Sequence, residues 1–275
     1  MQTLAALPDA RQTEFAAAET PVISIGGLSK VFQVGHASLT ALDNLNFDVN
    51  PRELVVIVGP SGCGKSTLLK ILTGLLQPTT GHLEIHGNPI KGPRRDVGAV
   101  FQAPLLFAWR TVLENVLLPA DIQKLDRKRS IERAKELLEL VGLADFANSY
   151  PNELSGGMQQ RVAIARSLLH DPAILLMDEP FGALDAMTRE RMNVELQRLW
   201  AESGKSILFI THSIPEAVFL ADKVIVMTPR PGRIAEIIPV DLPRMRSLSI
   251  MNSPEFGVYV DRIRTHFGAT GSLAS

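Results

Sequence analysis

The chain has 275 residues, enough for one large domain or two modest ones with a substantial core. Its 28 Lys and Arg residues are balanced by 29 Asp and Glu residues, and a net charge of −1 argues against a protein that holds nucleic acid by its phosphates. Cys63 is the only cysteine, so no disulfide can form within the chain, and we expect a reducing compartment. No apolar run approaches the roughly 20 residues that cross a bilayer, so we expect a protein that is soluble or peripheral to a membrane.

The N-terminal part of the chain predicts a flexible segment followed by β-structure. Residues 1–20 are rich in Ala, Gln and Thr, have no hydrophobic periodicity and do not resemble a secretory signal. From residue 22 onward, short β-rich runs alternate with turns in VISI, LTALDNLNFDV, LVVIVG, HLEIHG and DVGAVFQ. A helix follows in SIERAKELLELVGL, where apolar side chains recur at helical spacing, with Ser130 as its N-cap and Gly142 as its stop.

The second half of the chain predicts a buried parallel sheet. Three strands that are almost entirely apolar, AILLMDEP, SILFITH and KVIVM, alternate with helices predicted at about 187–203 and 214–221. The Pro-containing segment TPRPGRIAEIIPVDLPR is predicted to be extended. A last helix in SPEFGVYVDRIRTHF is predicted to dock on the body through Phe256, Val260, Ile263 and Phe267.

A glycine-rich loop lies between a predicted strand and a predicted helix in VVIVGPSGCGKSTLL. It fits the Walker A pattern G-x-x-x-x-G-K-[ST], whose glycines let consecutive backbone N–H groups surround phosphates. Lys65 is expected to reach the β- and γ-phosphates, and Ser66 to offer its hydroxyl to Mg²⁺. Cys63 lies inside the loop and is expected to be protected by bound ATP. The predicted ATP-binding residues here are Gly59, Pro60, Ser61, Gly62, Cys63, Gly64, Lys65, Ser66 and Thr67.

Three polar residues follow the next two apolar strands. Asp178 ends one strand, at the position where P-loop ATPases bind Mg²⁺ directly or through water. Glu179 comes next and is predicted to orient and deprotonate the attacking water. His212 ends the following strand and is predicted to reach the γ-phosphate edge of the same sheet, although a lone histidine also fits a structural role.

A second glycine turn opens a helix in ELSGGMQQRVAIARSLL, residues 153–169. The unpaired N–H groups and the dipole of a helix N-terminus both favour negative charge. Since the chain already has a phosphate loop, this turn raises the question of which anion it binds.

Together these motifs resemble the ATP-binding cassette (ABC) ATPases. GPSGCGKST, Gln102, LSGGMQQR, ILLMDEP, GALD and His212 occur in the order and spacing of that family, and the likeness runs from about 22 to 239. The signature has Met158 at its fifth position, with Gln159 following, a variant common among importer cassettes. The resemblance implies an α/β P-loop NTPase core with a parallel sheet, an antiparallel β subdomain and an inserted α-helical signature subdomain.

The resemblance also implies a division of the chain. It assigns a flexible segment to residues 1–20 and an ABC ATPase domain to residues 21–240, with the helical subdomain at about 103–170. A short C-terminal tail with a docking helix takes residues 241–275.

In this family, two cassettes face head to tail, and the signature of one closes on the ATP held by the Walker A loop of the other. The second glycine turn is therefore expected to bind a partner's nucleotide, through Ser155, Gly156, Gly157 and Gln159. Other matches assign Phe32 to stacking on adenine, with a core position as the alternative. They assign Gln102 to contacting Mg²⁺ and the attacking water, and Asp185 to sensing the opposite cassette.

The stretch QAPLLFAWRTVLENVLLP, residues 102–119, is unusually apolar. In the family this region forms a groove that receives a short cytoplasmic helix of the transport subunit, and an exposed apolar groove is typical of a partner site. The alternative is that its apolar side chains pack the helical subdomain, namely Leu105, Leu106, Phe107 and Trp109.

Among cassette proteins, the resemblance favours the ATPase subunit of an importer that uses ATP and Mg²⁺. VIVMTPRPGRI, VDLPRMRS and SPEF look like the nitrate, sulfonate and taurine group. The implied partners are a second cassette (the same chain or a close paralogue), two transmembrane permease subunits and, indirectly, an extracytoplasmic solute-binding protein. The implied location is the cytoplasmic face of the plasma membrane, and no nucleic acid is implied.

Two other protein classes remain as alternatives. A soluble cassette that acts on DNA usually has a long coiled-coil or zinc insertion between the Walker A loop and the signature, whereas here only 90 positions (155 − 65) separate Lys65 from Ser155, with no Cys pairs. Cassettes associated with translation usually carry two cassettes in one chain. A stand-alone P-loop kinase has no need of the signature turn.

Overall fold

A computed structural model describes residues 20–268. The segment predicted to be flexible, residues 1–20, lies outside the described residues except for its last position, as do residues 269–275 of the predicted tail. Within the described range, no helix is both long enough and apolar enough to cross a lipid bilayer.

The described residues form ten strands. Their bounds are β1 (Ile23–Val34), β2 (Ala37–Val49), β3 (Leu54–Val58), β4 (Thr80–Ile85), β5 (Asn88–Pro89), β6 (Val97–Val100), β7 (Ile174–Asp178), β8 (Ser206–Thr211), β9 (Lys223–Met227) and β10 (Ile234–Pro239). Four strands make an antiparallel sheet in the order β2-β1-β4-β5, and six make a second sheet in the order β10-β9-β3-β8-β7-β6. From β9 to β6 the neighbours are parallel, which confirms the predicted parallel sheet, and β10 is antiparallel to β9.

Seven α-helices accompany the strands in the described range. Their bounds are α1 (Lys65–Leu72), α2 (Val112–Gln123), α3 (Arg127–Leu140), α4 (Gly156–Leu168), α5 (Ala186–Ser203), α6 (Ile214–Leu220) and α7 (Pro254–Gly268). The two helices predicted between the apolar strands are present as α5 and α6.

The start of α3 corrects one prediction. The helix begins before Ser130, because Asp126 is the N-cap and its carboxylate accepts a hydrogen bond from the Arg129 N–H at 2.8 Å. Ser130 lies inside the helix, where its hydroxyl donates to the Asp126 carbonyl at 2.7 Å. Gly142 follows the C-cap with a φ of 66°, so the predicted stop is confirmed.

The six-stranded sheet separates two hydrophobic cores. Alternate residues of β3 face opposite sides: Val55 and Ile57 join the core shared with the antiparallel sheet and α1, while the other residues join the core beneath the remaining helices. Helix α7 docks on this second core through Phe256, Val260 and Ile263. Since both faces of the central strands are covered, their sequences are apolar at nearly every position.

Candidate active site

One edge of the parallel sheet carries the candidate site. The carboxyl ends of β9, β3, β8, β7 and β6 all meet at this edge, because the five strands are parallel. The loops that follow them border a cleft of about 570 Å³. Its lining residues are Ala41, Ser61, Gly62, Gly64, Lys65, Ser66, Thr67, Gln102, Glu179, His212 and Arg230.

The phosphate loop joins β3 to α1. Gly64 has a φ of 105°, which glycine adopts without steric cost, and a Cβ there would lie 2.6 Å from Leu42 Cδ2. No side chain caps α1, so its first N–H groups are available to an anion. The Lys65 ammonium donates to the Gly59 carbonyl at 2.8 Å and to the Pro60 carbonyl at 3.1 Å. The loop therefore holds this cation beside the cleft through its own backbone carbonyls.

Cys63 lies on the inner side of the phosphate loop. Its side chain is fully buried and belongs to the core shared with the antiparallel sheet. Burial raises the pKa of the Cys63 thiol. The protein itself therefore shields the thiol, and protection of Cys63 by bound ATP stays a prediction.

Asp178 and Ser66 form an oxygen pair at the floor of the site. Asp178 is buried at the end of β7, and burial raises the pKa of its carboxyl, while a hydrogen bond with Ser66 opposes that shift. A hydroxyl and a carboxylate are ligands that suit Mg²⁺. Within residues 20–268, no three His, Cys, Asp or Glu side chains are grouped to hold a metal.

Glu179 is held between two neighbours that the sequence predicted for the site. Its Oε2 lies 3.3 Å from Gln102 Nε2 and 3.2 Å from His212 Nδ1. Its backbone has a φ of 45°, and its N–H donates to the Ile210 carbonyl at 2.9 Å. Three adjacent strand ends thus bring together a carboxylate, an amide and an imidazole, a set that can hold and deprotonate a water molecule.

A buried carboxylate beneath His212 was missed by the sequence reasoning. Glu216 accepts hydrogen bonds from the Thr211 hydroxyl and from Asn193 Nδ2, the latter at 3.3 Å. Burial raises the pKa of Glu216. Asn193 lies on α5, so this network joins the His212 loop to that helix. The pattern Ser213-x-x-Glu216 signals only a helix start, and the structure turns the carboxylate inward.

The signature turn lies apart from the cleft, since none of its residues lines that cleft. Ser155 is the N-cap of α4, and its hydroxyl accepts a hydrogen bond from the Met158 N–H at 3.3 Å. Ser155 and Gly156 are exposed. Gln159 turns toward its own chain, because its amide donates to the Pro151 carbonyl at 2.9 Å and the Leu154 carbonyl at 3.3 Å.

Two other predicted residues also lie outside the cleft. Asp185 is the N-cap of α5, and hydrogen bonds from Thr188 lower the pKa of its carboxyl. Phe32 lies on β1 of the antiparallel sheet, half-buried, with the Lys30 ammonium 5.3 Å from the centre of its ring.

The apolar stretch after Gln102 is partly exposed and firmly held. Leu105 is 58% exposed and Trp109 is 73% exposed, whereas Leu106 packs on the core of the helices. Phe107 stacks on Trp109 with ring centroids 4.9 Å apart. Arg166 donates to the carbonyls of residues 104 and 105 at 2.7 and 2.8 Å. Packing therefore accounts for Leu106, while Leu105 and Trp109 remain available to a partner.

This fold and cleft define a P-loop nucleotide-binding protein. The sequence pattern of the family described as ABC transporter matches residues 42–182. The chain belongs to this family, and the recognition made from its motifs is confirmed.

Two known proteins and one solved structure are similar to this chain over most of its length. The taurine import ATP-binding protein TauB of Rhizobium johnstonii is 46% identical, over 86% of this chain and 92% of its own length. The nitrate import ATP-binding protein NrtD of a Synechocystis species is 45% identical, over 88% of this chain and 93% of its own length. A solved dimeric, post-hydrolysis ATP-binding cassette bound to ADP and Pi is 35% identical, with a TM-score of 0.73 over 82% of this chain and 100% of that chain.

Proposed function

We propose that this chain is the ATP-hydrolysing subunit of an ABC importer, in which ATP-driven closure of a cassette dimer powers solute uptake through separate membrane subunits. The observation that carries this is the cleft itself, where Glu179 lies between Gln102 and His212 beside the phosphate loop. The import relatives support transport over the soluble nucleic-acid alternative.

The cleft residues fit a nucleotide and its metal. The uncapped N–H groups of α1 and the Lys65 ammonium bind the phosphates, and Thr67 extends the cradle. Ser66 and Asp178 would hold Mg²⁺ together with the amide oxygen of Gln102, and Mg²⁺ supplies neutralisation of charge on the β- and γ-phosphates. Phe32 remains our proposed adenine contact.

We assign hydrolysis to the side chains that follow β6, β7 and β8. Glu179 accepts the proton of the attacking water, because its carboxylate lines the cleft and lies between the Gln102 amide and the His212 imidazole. Gln102 positions that water, and His212 contacts the γ-phosphate edge. Each of these roles uses an atom that lines the cleft within a single chain.

A second cassette, the same chain or a close paralogue, completes the site. Ser155, Gly156 and Gly157 are at the surface or near it and away from their own cleft, which supports their binding a partner's γ-phosphate. Gln159 supports the turn through its hydrogen bonds to backbone carbonyls. Asp185 opens α5, whose Asn193 contacts the Glu216 network below His212, so a partner sensed at Asp185 has a path to the catalytic loop.

The names of the two relatives suggest the cargo. Taurine and nitrate both carry an anionic group, so we propose a small anion such as nitrate, a sulfonate or taurine. Two transmembrane permease subunits and an extracytoplasmic solute-binding protein complete the importer, with this chain on the cytoplasmic face of the inner membrane. In this scheme residues 21–240 are the ATPase domain, 103–170 its helical subdomain and 241–275 the tail.

Assembly with the permease provides the test. Trp109→Asp places a charge on the exposed apolar surface after Gln102, so a tagged chain should lose its permease subunits when it is captured from detergent-solubilised membranes. Ile122→Asp is the matched control, because Ile122 is 70% exposed but lies at the far end of α2. Both variants should bind ATP as the wild type does. Retention of the permease by Trp109→Asp, or no membrane protein with the wild type, would contradict the proposal.

A further inference from the structure

The turn that follows β9 packs directly on the phosphate loop. The Gly232 N–H donates to the Ala41 carbonyl at 3.0 Å, and the Gly232 carbonyl accepts from the Asp43 N–H at 3.0 Å. A Cβ on Gly232 would lie 2.0 Å from the Cys63 carbonyl oxygen, so the two loops are in backbone contact. The position of this turn is therefore fixed relative to the phosphate cradle.

Arg230 extends from this turn into the cleft. It lines the same space as Lys65, Ser66 and Thr67, and its Nε donates to the Gly62 carbonyl at 3.3 Å. Within residues 20–268, no carboxylate forms a salt bridge with its exposed guanidinium, whereas Arg233 in the same turn pairs with Asp43. Since a guanidinium has five N–H donors, Arg230 brings an unneutralised charge and free donors to the phosphate site.

The strand order determines which part of a nucleotide Arg230 faces. Arg230 follows β9 on one side of β3, while His212, Glu179 and Gln102 follow β8, β7 and β6 on the other side. The phosphate loop therefore stands between Arg230 and the hydrolytic residues. A nucleotide that presents its γ-phosphate to Glu179 presents its ADP portion to the side where Arg230 lies.

We propose that Arg230 is a second phosphate-binding cation that contacts the ADP portion of the bound nucleotide. The inference rests on the proposed function, because it requires that the cleft bind ATP. Its planar fork of N–H donors suits phosphate oxygens better than a point charge does. Arg230 sets the affinity for ATP and for ADP alike.

The test compares Arg230→Gln with Arg233→Gln in the full chain. Titration with fluorescent ATP and ADP analogues should show both nucleotides bound roughly tenfold more weakly by Arg230→Gln, the size of a lost charge-assisted hydrogen bond. The losses for ATP and for ADP should be equal, because the proposed contact is to phosphates that both nucleotides share. Arg233→Gln, which loses a charge outside the cleft, should keep both affinities, and Arg230→Lys should lose less than Arg230→Gln.

Two outcomes would overturn the inference. One is an unchanged ADP affinity in Arg230→Gln, and the other is a loss of ATP affinity much larger than the loss of ADP affinity, which would put Arg230 at the γ-phosphate. Because Arg230 is exposed, the melting temperature of Arg230→Gln should match that of the wild type. If Arg230→Gln is destabilised, the nucleotide affinities of Arg230→Lys decide the test instead. A wild-type chain that binds no nucleotide would instead reject the proposed function.

Discussion

The helices α1 and α4 both begin after glycine turns, but the chain supports these turns in different ways. At the phosphate loop, Gly64 has a φ of 105° and a Cβ there would meet Leu42 at 2.6 Å. At the signature, a Cβ on Gly156 would meet nothing within 4 Å. The fold of this chain therefore requires the glycine at 64, whereas the space beside Gly156 is free for another molecule.

The helices α1 and α4 also differ in how their N-termini are capped. No side chain caps α1, so its N–H groups depend on a ligand for partners. Helix α4 is capped by its own Ser155 hydroxyl. Lys65 and Arg230 add positive charge beside the phosphate loop and not beside the signature turn. The phosphate loop of a single chain should thus bind an anion by itself. The signature should bind only an anion that a partner cassette already holds.

The largest effect is expected from Glu179→Gln. Turnover should fall by roughly 10²-fold or more, because the water loses its positioned base. ATP binding should persist, and size-exclusion chromatography with ATP should show a dimer that the wild type does not accumulate. The double variant with Lys65→Ala is the control and should stay monomeric. Turnover within tenfold of the wild type would place the base elsewhere.

Ser155→Asp separates the capping role of this residue from its role toward a partner. Aspartate caps a helix about as well as serine does, so the melting temperature should not change. The added negative charge should repel a partner's γ-phosphate, and the ATP-dependent dimer of the Glu179→Gln background should weaken tenfold or more.

Ser155→Ala gives the complementary result. It should lose about 1 kcal/mol of stability with the cap but still dimerise, since no charge is added. Normal dimerisation of Ser155→Asp in analytical ultracentrifugation would reject the trans role of the signature.

The sequence predicted those parts of the site that depend on local order. Gln102, Glu179 and His212 each follow a strand of the parallel sheet, so recognising the strands and the motifs was sufficient to bring them to one edge. The phosphate loop was predictable for the same reason, because its backbone conformation is encoded in consecutive residues.

Residues whose role depends on strand order could not be found in this way. Arg230 reaches the cleft because β9 lies next to β3, a neighbour relation that no local pattern contains. Glu216 is buried and accepts a hydrogen bond from Asn193 of α5, a long-range contact, although its own sequence context predicts a helix cap. Cys63 shows the same limit, since the motif does not tell which side of the loop a side chain faces.

Replacing Gly64 or Gly156 by alanine should change the free energy of unfolding to different extents. Gly64→Ala should destabilise the fold by about 1–3 kcal/mol, from strain at a positive φ and contact with Leu42. Gly156→Ala should leave the free energy of unfolding within about 0.5 kcal/mol of the wild type, because the added methyl enters open space.

Urea unfolding without nucleotide measures both values. Gly156→Ala should nevertheless weaken the ATP-dependent dimer of the Glu179→Gln background. Equal destabilisation by the two substitutions would mean that the signature turn is constrained by its own chain as tightly as the phosphate loop.

The smallest effect concerns α7, which is remote from both turns. Glu236 on β10 binds Arg262 and, at 2.6 Å, His266 of this helix. The hydrogen bonds from Arg262, then from His266, hold the pKa of Glu236 below its usual 4.5. A carboxyl with a lowered folded-state pKa adds stability above its unfolded pKa and loses that stability as the pH falls through the folded value.

Glu236→Gln should therefore cost about 0.5 kcal/mol at pH 7, a small value because this surface pair is screened by solvent. The difference from the wild type should vanish in acid, below the lowered pKa. Thermal unfolding at a series of pH values measures it, while nucleotide affinity should stay unchanged, as should ATP-dependent dimerisation in the Glu179→Gln background. A loss of dimer when Glu236→Gln is added to the Glu179→Gln background would show that α7 acts on one of the two glycine turns, so the turns alone would not account for the contrast between them.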